Sequence, residues 1–154
     1  MDYNILPNSD IKVSKICLGT MTWGRQNSQK EAFDQMNYSL ERGINFFDTA
    51  ELYPVPATPD KYAVTEQIIG NWFNETKKRD KVILATKIAG PGDYTAHIRK
   101  SGFKGDSIET ALNSSLKRLN TDYIDLYQLH WPERITNTSV SYTHLRAHET
   151  CVHL

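Results

Sequence analysis

The sequence predicts an α/β fold: the N-terminal half of a (β/α)8 TIM barrel, preceded by a small β-hairpin. Three observations carry this reading. Strand-like and helix-like segments alternate in the order β-α-β-α-β-α-β, and that alternation dictates a parallel sheet with right-handed crossovers. Three of the strands run mostly apolar and then stop at an ionisable residue: Ile44-Asn45-Phe46-Phe47-Asp48, Val82-Ile83-Leu84-Ala85-Thr86-Lys87 and Tyr123-Ile124-Asp125-Leu126-Tyr127-Gln128-Leu129-His130. Parallel strands bring such ends to one rim, the C-terminal face on which barrels of this class carry their chemistry. Finally, 154 residues support one domain with a real core, whereas a whole barrel needs about 250.

Each element has its own signal. Residues 3–6 and 11–13 flank Pro7-Asn8-Ser9-Asp10 and read as the hairpin. Residues 16–20 form the first barrel strand. Ser28 with Glu31 three positions on is a capping box, Ala32, Met36 and Leu40 recur at helical spacing, and Gly43 stops the helix. After the strand ending at Asp48, Thr65 is expected to cap a helix with Ile68, Ile69, Trp72 and Phe73 on one face. After the strand ending at Lys87, residues 88–105 form a long loop at the rim. Asp106 and Glu109 suggest a second capping box, followed by Ile108, Ala111, Leu112, Ser115 and Leu119 on one helical face.

Composition excludes several function classes. Eighteen basic and eighteen acidic residues give zero formal net charge, so nothing points to nucleic acid as a partner. No apolar run approaches a membrane span, and the N-terminus lacks a basic-then-apolar leader pattern, so the expectation is a cytoplasmic protein. Cys17 and Cys151 form no framework, and Cys17 is expected to be a small buried hydrophobe. No G-x-G-x-x-G follows a strand, and Gly90-Pro91-Gly92 lacks the ending of a phosphate-binding loop.

Singly, the rim residues have plain structural readings. Asp48 could be a helix cap or half of a surface ion pair. Lys87 could be a solvated surface group, and His130 a satisfied core histidine beside Trp131. Tyr53 could simply pack. Their joint placement on one rim, with Tyr53 five residues past Asp48, makes a proton-transfer constellation instead.

Four motifs then appear in order: Leu18-Gly19-Thr20-Met21-Thr22-Trp23-Gly24, Asn45-Phe46-Phe47-Asp48-Thr49-Ala50-Glu51-Leu52-Tyr53, Ala85-Thr86-Lys87, and Asp122-Tyr123-Ile124-Asp125-Leu126-Tyr127-Gln128-Leu129-His130-Trp131-Pro132. Together they resemble the aldo-keto reductase superfamily over residues 1–137. The detail around Tyr53-Pro54-Val55-Pro56 and Lys87-Ile88-Ala89-Gly90-Pro91 is similar to its bacterial Tas-like branch. The resemblance implies a (β/α)8 barrel that reduces aldehydes and ketones to alcohols with NADPH. Carbonyl reduction needs an acid beside the developing alkoxide, and the family's acid falls on Tyr53. Lys87 is expected to lower the phenol pKa, Asp48 to pair with Lys87, and His130 to orient the carbonyl. The resemblance further implies that Gly19, Thr20, Met21 and Asp48 border the nicotinamide end of NADP(H). Trp23 and Trp131 would line the substrate pocket, unless they are packing aromatics. The family's grip on the cofactor phosphate lies on seventh- and eighth-strand loops that this sequence does not contain. A second reading is a non-catalytic cofactor-sensing module, as potassium-channel β-subunits also resemble this family.

Beyond residue 137 the pattern fails, with no helix signal after the fourth strand. The run Ser141-Tyr142-Thr143-His144-Leu145-Arg146-Ala147-His148-Glu149-Thr150 resembles a translated sequencing-library adaptor, so residues 138–154 are expected to be a non-native tail. That reading also accounts for His144, His148, Glu149, Cys151 and His153 without a metal, and no metal is expected. A half barrel leaves an open strand edge and an uncovered face, so self-association and an inactive fragment are expected.

Overall fold

The structure is a computed structural model that describes residues 1–132 and the backbone of Cys151–Val152. Apart from that backbone, the expected tail and the metal alternative at His144, His148, Glu149 and His153 lie outside the described residues. Strands β1 (Tyr3–Ile5) and β2 (Lys12–Ser14) form the antiparallel hairpin, with Tyr3 opposite Ser14 and Ile5 opposite Lys12. The hairpin is fastened beneath the main sheet by Asn45. Its side chain accepts from the Ser14 amide at 2.8 Å, and its own amide donates to Ser14 Oγ at 3.2 Å.

Four parallel strands follow in chain order: β3 (Cys17–Gly19), β4 (Phe46–Asp48), β5 (Ile83–Ile88) and β6 (Leu126–Leu129). Helices α1 (Gln29–Glu41), α2 (Val64–Thr76) and α3 (Ser107–Leu119) make the crossovers. This is the partial barrel that the alternation implied. A two-residue strand β7 (Cys151–Val152), for which the sequence had no signal, pairs antiparallel with β6. One sheet face is packed by the helices. Phe47 and Leu84 from the strands, Met36 from α1, Ile69 and Trp72 from α2 and Leu119 from α3 are all fully buried there.

The helix termini separate correct local reasoning from incorrect. The box at α1 is present: Ser28 Oγ accepts from the Glu31 amide at 3.2 Å, and the Ser28 amide donates to Glu31 Oε2 at 2.8 Å. Thr65 does not cap α2. The cap position is Ala63, in a left-handed conformation (φ 64°), and Thr65 lies inside the helix with its hydroxyl donating to the Trp23 carbonyl at 2.8 Å. A tertiary partner has taken the side chain that local patterning assigned to the helix end. Asp106 does precede α3 but makes no side-chain capping bond, so the second box does not form.

Two close approaches fix the layers. A Cβ on Gly70 would run into the Arg118 carbonyl oxygen, so α2 and α3 meet backbone to backbone at that point. At the bottom of the sheet, Arg79 donates to Asp125 Oδ2 and to the Val82 carbonyl, each at 2.7 Å. Its guanidinium lies 3.8 Å from the Tyr123 ring centroid, and Asp125 also accepts from the Leu84 amide at 2.8 Å. Among the described residues, no helix is long and apolar enough to cross a membrane.

Candidate active site

Pairing register sets the site. Gly19 aligns with Asp48, Asp48 with Ala85, and Lys87 with Gln128. Aligned residues of parallel strands point to the same face, and alternate residues along a strand share it. Gly19, Asp48, Lys87 and Gln128 therefore belong to the inner face, opposite the helices. The β4–β5 ladder continues past the end of β4, with the Thr49 amide donating to the Ala85 carbonyl at 2.9 Å and the Glu51 amide to the Lys87 carbonyl at 3.0 Å. This extension delivers Tyr53 back over the strand ends.

There Asp48, Tyr53, Lys87 and His130 come together. Lys87 Nζ donates to Asp48 Oδ2 at 2.7 Å and to the Thr49 carbonyl at 2.8 Å, and lies 5.0 Å from the Tyr53 ring centroid. The Tyr53 and His130 rings meet edge to face with centroids 5.6 Å apart. Among the described residues, the buried Nδ1 of His130 has no hydrogen-bond partner.

The electrostatics depart from expectation at Tyr53. Its phenol is pushed up to about 12, by burial first and by the Asp48 carboxylate second. The expected net lowering by Lys87 does not appear, because burial of the phenol and the Asp48 carboxylate outweigh it. His130 is pushed down to about 4, by burial and then by the Lys87 charge. At neutral pH the site thus holds a protonated phenol and an uncharged imidazole.

The other expected residues fall in different places. Gly19 is exposed beside Asp48, and a side chain added to it would meet open space. Thr20 is buried, its hydroxyl donating to the Asp48 carbonyl at 2.9 Å, while Met21 is half exposed. Trp131 lies against His130, with ring centroids 5.0 Å apart, and its Nε1 donates to the Pro91 carbonyl at 3.0 Å. Gly90 makes this seat, since a Cβ there would strike the indole. Trp23 is not brought to the rim. It is 1% exposed inside the core cluster and donates from Nε1 to Gln35 Oε1 at 2.9 Å, so packing is its role. Cys17 is exposed rather than buried, for it lies on the open inner face of the edge strand β3. Its thiol is still pushed up to about 11, by partial desolvation and by Asp48.

Sequence reasoning missed a set of buried charges behind the rim. Arg99 forks onto Glu51 with two bonds of 2.9 Å, and the Ala89 amide donates to Glu51 Oε2 at 3.0 Å. Arg118 donates to Glu66 Oε2 at 2.7 Å, and Thr86 Oγ1 to Glu66 Oε1 at 2.6 Å. The one available signal was Glu51 itself, an acid lodged between Asp48 and Tyr53. Nothing in the sequence marks an arginine 48 positions away as its partner.

Comparison with known proteins agrees with this architecture. The chain is 45% identical over 143 residues to Protein tas of Escherichia coli, covering 89% of this chain and 40% of that protein. It is 42% identical over 141 residues to the Bacillus subtilis protein named uncharacterized oxidoreductase YrpG, covering 88% of this chain and 42% of that one. The chain therefore spans about two-fifths of the length of these curated relatives. Among solved structures, an aldo-keto reductase from Bacillus halodurans in its holo form superposes with a TM-score of 0.63 at 35% identity, over 84% of this chain and 40% of that one. A rim of Asp48, Tyr53, Lys87 and His130 on parallel strands is thus joined by a match of residues 15–154 to the Aldo/keto reductase family model, and the chain belongs to that family.

Proposed function

We propose that this chain is the N-terminal part of an oxidoreductase that reduces aldehydes and ketones to alcohols with NADPH. The observation that carries the reading is the Lys87 ammonium, held by Asp48 and the Thr49 carbonyl at the Tyr53 ring, with the His130 imidazole edge to face against that ring. The rim also suits the nicotinamide end of a dinucleotide. Gly19 leaves a bare backbone shelf beside Asp48, Met21 is half exposed next to it, and His130 Nδ1 is a buried polar atom in want of a partner. Bound there, NADPH supplies hydride to the substrate carbon.

The chain's own residues handle the oxygen. His130, uncharged at neutral pH, hydrogen-bonds the carbonyl oxygen and turns it toward Tyr53. As the alkoxide develops, the O–H bond of Tyr53 breaks and its proton passes to that oxygen, leaving a phenolate. The Lys87 ammonium lies against that ring and stabilises the new negative charge, while Asp48 keeps Lys87 in register. A phenol near 12 retains its proton at any physiological pH, so the acid is always loaded and depends on Lys87 to release it. Solvent restores the proton after alcohol leaves.

The test is Tyr53→Phe in a chain carried to the relatives' full length, assayed with NADPH and simple aldehydes. Turnover should fall by about 10²- to 10⁴-fold with cofactor binding retained. Unchanged turnover would remove Tyr53 as the acid. Cofactor binding without turnover in the unmutated chain would favour a sensing module instead.

A further inference from the structure

Glu51 is a carboxylate only 3% exposed, three residues past Asp48 and two before Tyr53, yet it takes no part in the proton transfer. Apart from a 3.9 Å approach of Arg118 from α3, its bonds join pieces that carry the rim. Its amide donates to the Lys87 carbonyl at 3.0 Å, and its Oε2 accepts from the Ala89 amide at 3.0 Å, so it holds the end of β5 on both sides of Ile88, directly after Lys87. Its two carboxylate oxygens also receive the Arg99 fork, Nη2 to Oε1 and Nη1 to Oε2, each at 2.9 Å. Arg99 belongs to the long loop after β5 and donates again to the Ala89 carbonyl at 3.3 Å. Both side chains of this pair are almost entirely out of water.

A buried ion pair is a poor way to gain stability, because desolvation offsets most of the attraction, whereas its directional bonds fix geometry. Glu66 offers an internal comparison. It too is a buried acid paired to an arginine, Arg118, whose Nη2 also lies 3.9 Å from Glu51 Oε1, but among the described residues its hydrogen bonds run to Thr86 and that arginine rather than to the backbone around Ile88 or to Arg99.

We propose that Glu51, clamped by Arg99, is a positioning residue that sets the Tyr53 ring against Lys87 and ties that setting to the loop of residues 88–105. What Tyr53 and Lys87 do rests on the reductase reading; the positioning itself does not. The experiment therefore reads geometry rather than turnover. The chain is labelled with 3-fluorotyrosine, and the Tyr53 fluorine signal, one of eight tyrosines, is identified by its loss in Tyr53→Phe.

Glu51→Gln and Arg99→Gln are each expected to shift or split the Tyr53 signal. They should also speed amide exchange in residues 49–55 and 87–91 by about tenfold or more, with α1 unchanged. Glu66→Gln should leave the Tyr53 signal in place. If the two glutamine variants do not fold, Arg99→Lys, which keeps the charge and gives up the fork, decides the matter by the same signal. An unmoved Tyr53 signal, or one moved equally by Glu66→Gln, overturns the proposal. A moved signal in a full-length protein that reduces nothing would instead sink the reductase reading alone.

Discussion

Acid should loosen this protein through His130, and the size of the effect follows from its surroundings. Unfolded, the imidazole takes up its proton near 6.5, whereas folded it does so only at about 4, because burial and the Lys87 charge oppose a second cation. Between those values the unfolded chain binds more protons than the folded one, so stability is lost as pH falls through that window. At about 1.4 kcal/mol per pH unit the whole gap corresponds to about 3 kcal/mol. Partial access of solvent at the open rim trims this to about 2 kcal/mol. The assay is urea denaturation of the chain and of His130→Gln at pH steps from neutral down to the folded-state value. Other groups titrate in both proteins, so the quantity to follow is the difference between their unfolding free energies. That difference should shift by about 2 kcal/mol against the unmutated chain across the window. Parallel stability curves would show that His130 is not held uncharged by its environment, and the reasoning would fail.

Two further outcomes follow from packing. Gly70→Ala should destabilise the chain by about 1–2 kcal/mol in thermal or denaturant unfolding, since forcing α2 from the Arg118 carbonyl outweighs the ~1 kcal/mol gain in helix propensity. A higher melting temperature would mean that the two helices separate freely. Cys17, Phe46 and Ile83 share the inner face of the sheet and none is buried, so light scattering on the chain should report self-association. A stable monomer over the micromolar range would count against it.

What could be read from the sequence was whatever depends on chain order and periodicity. The alternation of strands and helices placed Asp48, Lys87 and His130 at neighbouring strand ends, because parallel strands leave no other arrangement. The α1 box could be read because Ser28 and Glu31 satisfy each other within one turn. Thr65 and Asp106 could not be read by the same rule. The Trp23 carbonyl, 42 residues from Thr65, claims its hydroxyl, and Asp106 is left without its bond. The pairing of Glu51 with Arg99 is hidden for the same reason: tertiary partners leave no local trace. Trp23 illustrates the limit of residue type as evidence, since a tryptophan beside a rim motif can point inward as readily as toward a ligand. The Tyr53 pKa is set first by burial and then by the Asp48 carboxylate, and the degree of burial is what the sequence does not show.

Arg79 has an implication for how such a protein can diverge. Stacked on Tyr123 and bonded to Asp125 and the Val82 carbonyl, it ties the start of β5 to the approach to β6, at the end of the sheet remote from Tyr53. The arginine stack and the candidate site thus sit at opposite poles of the same strands, so side chains at the tips can change while Arg79 preserves strand alignment from below.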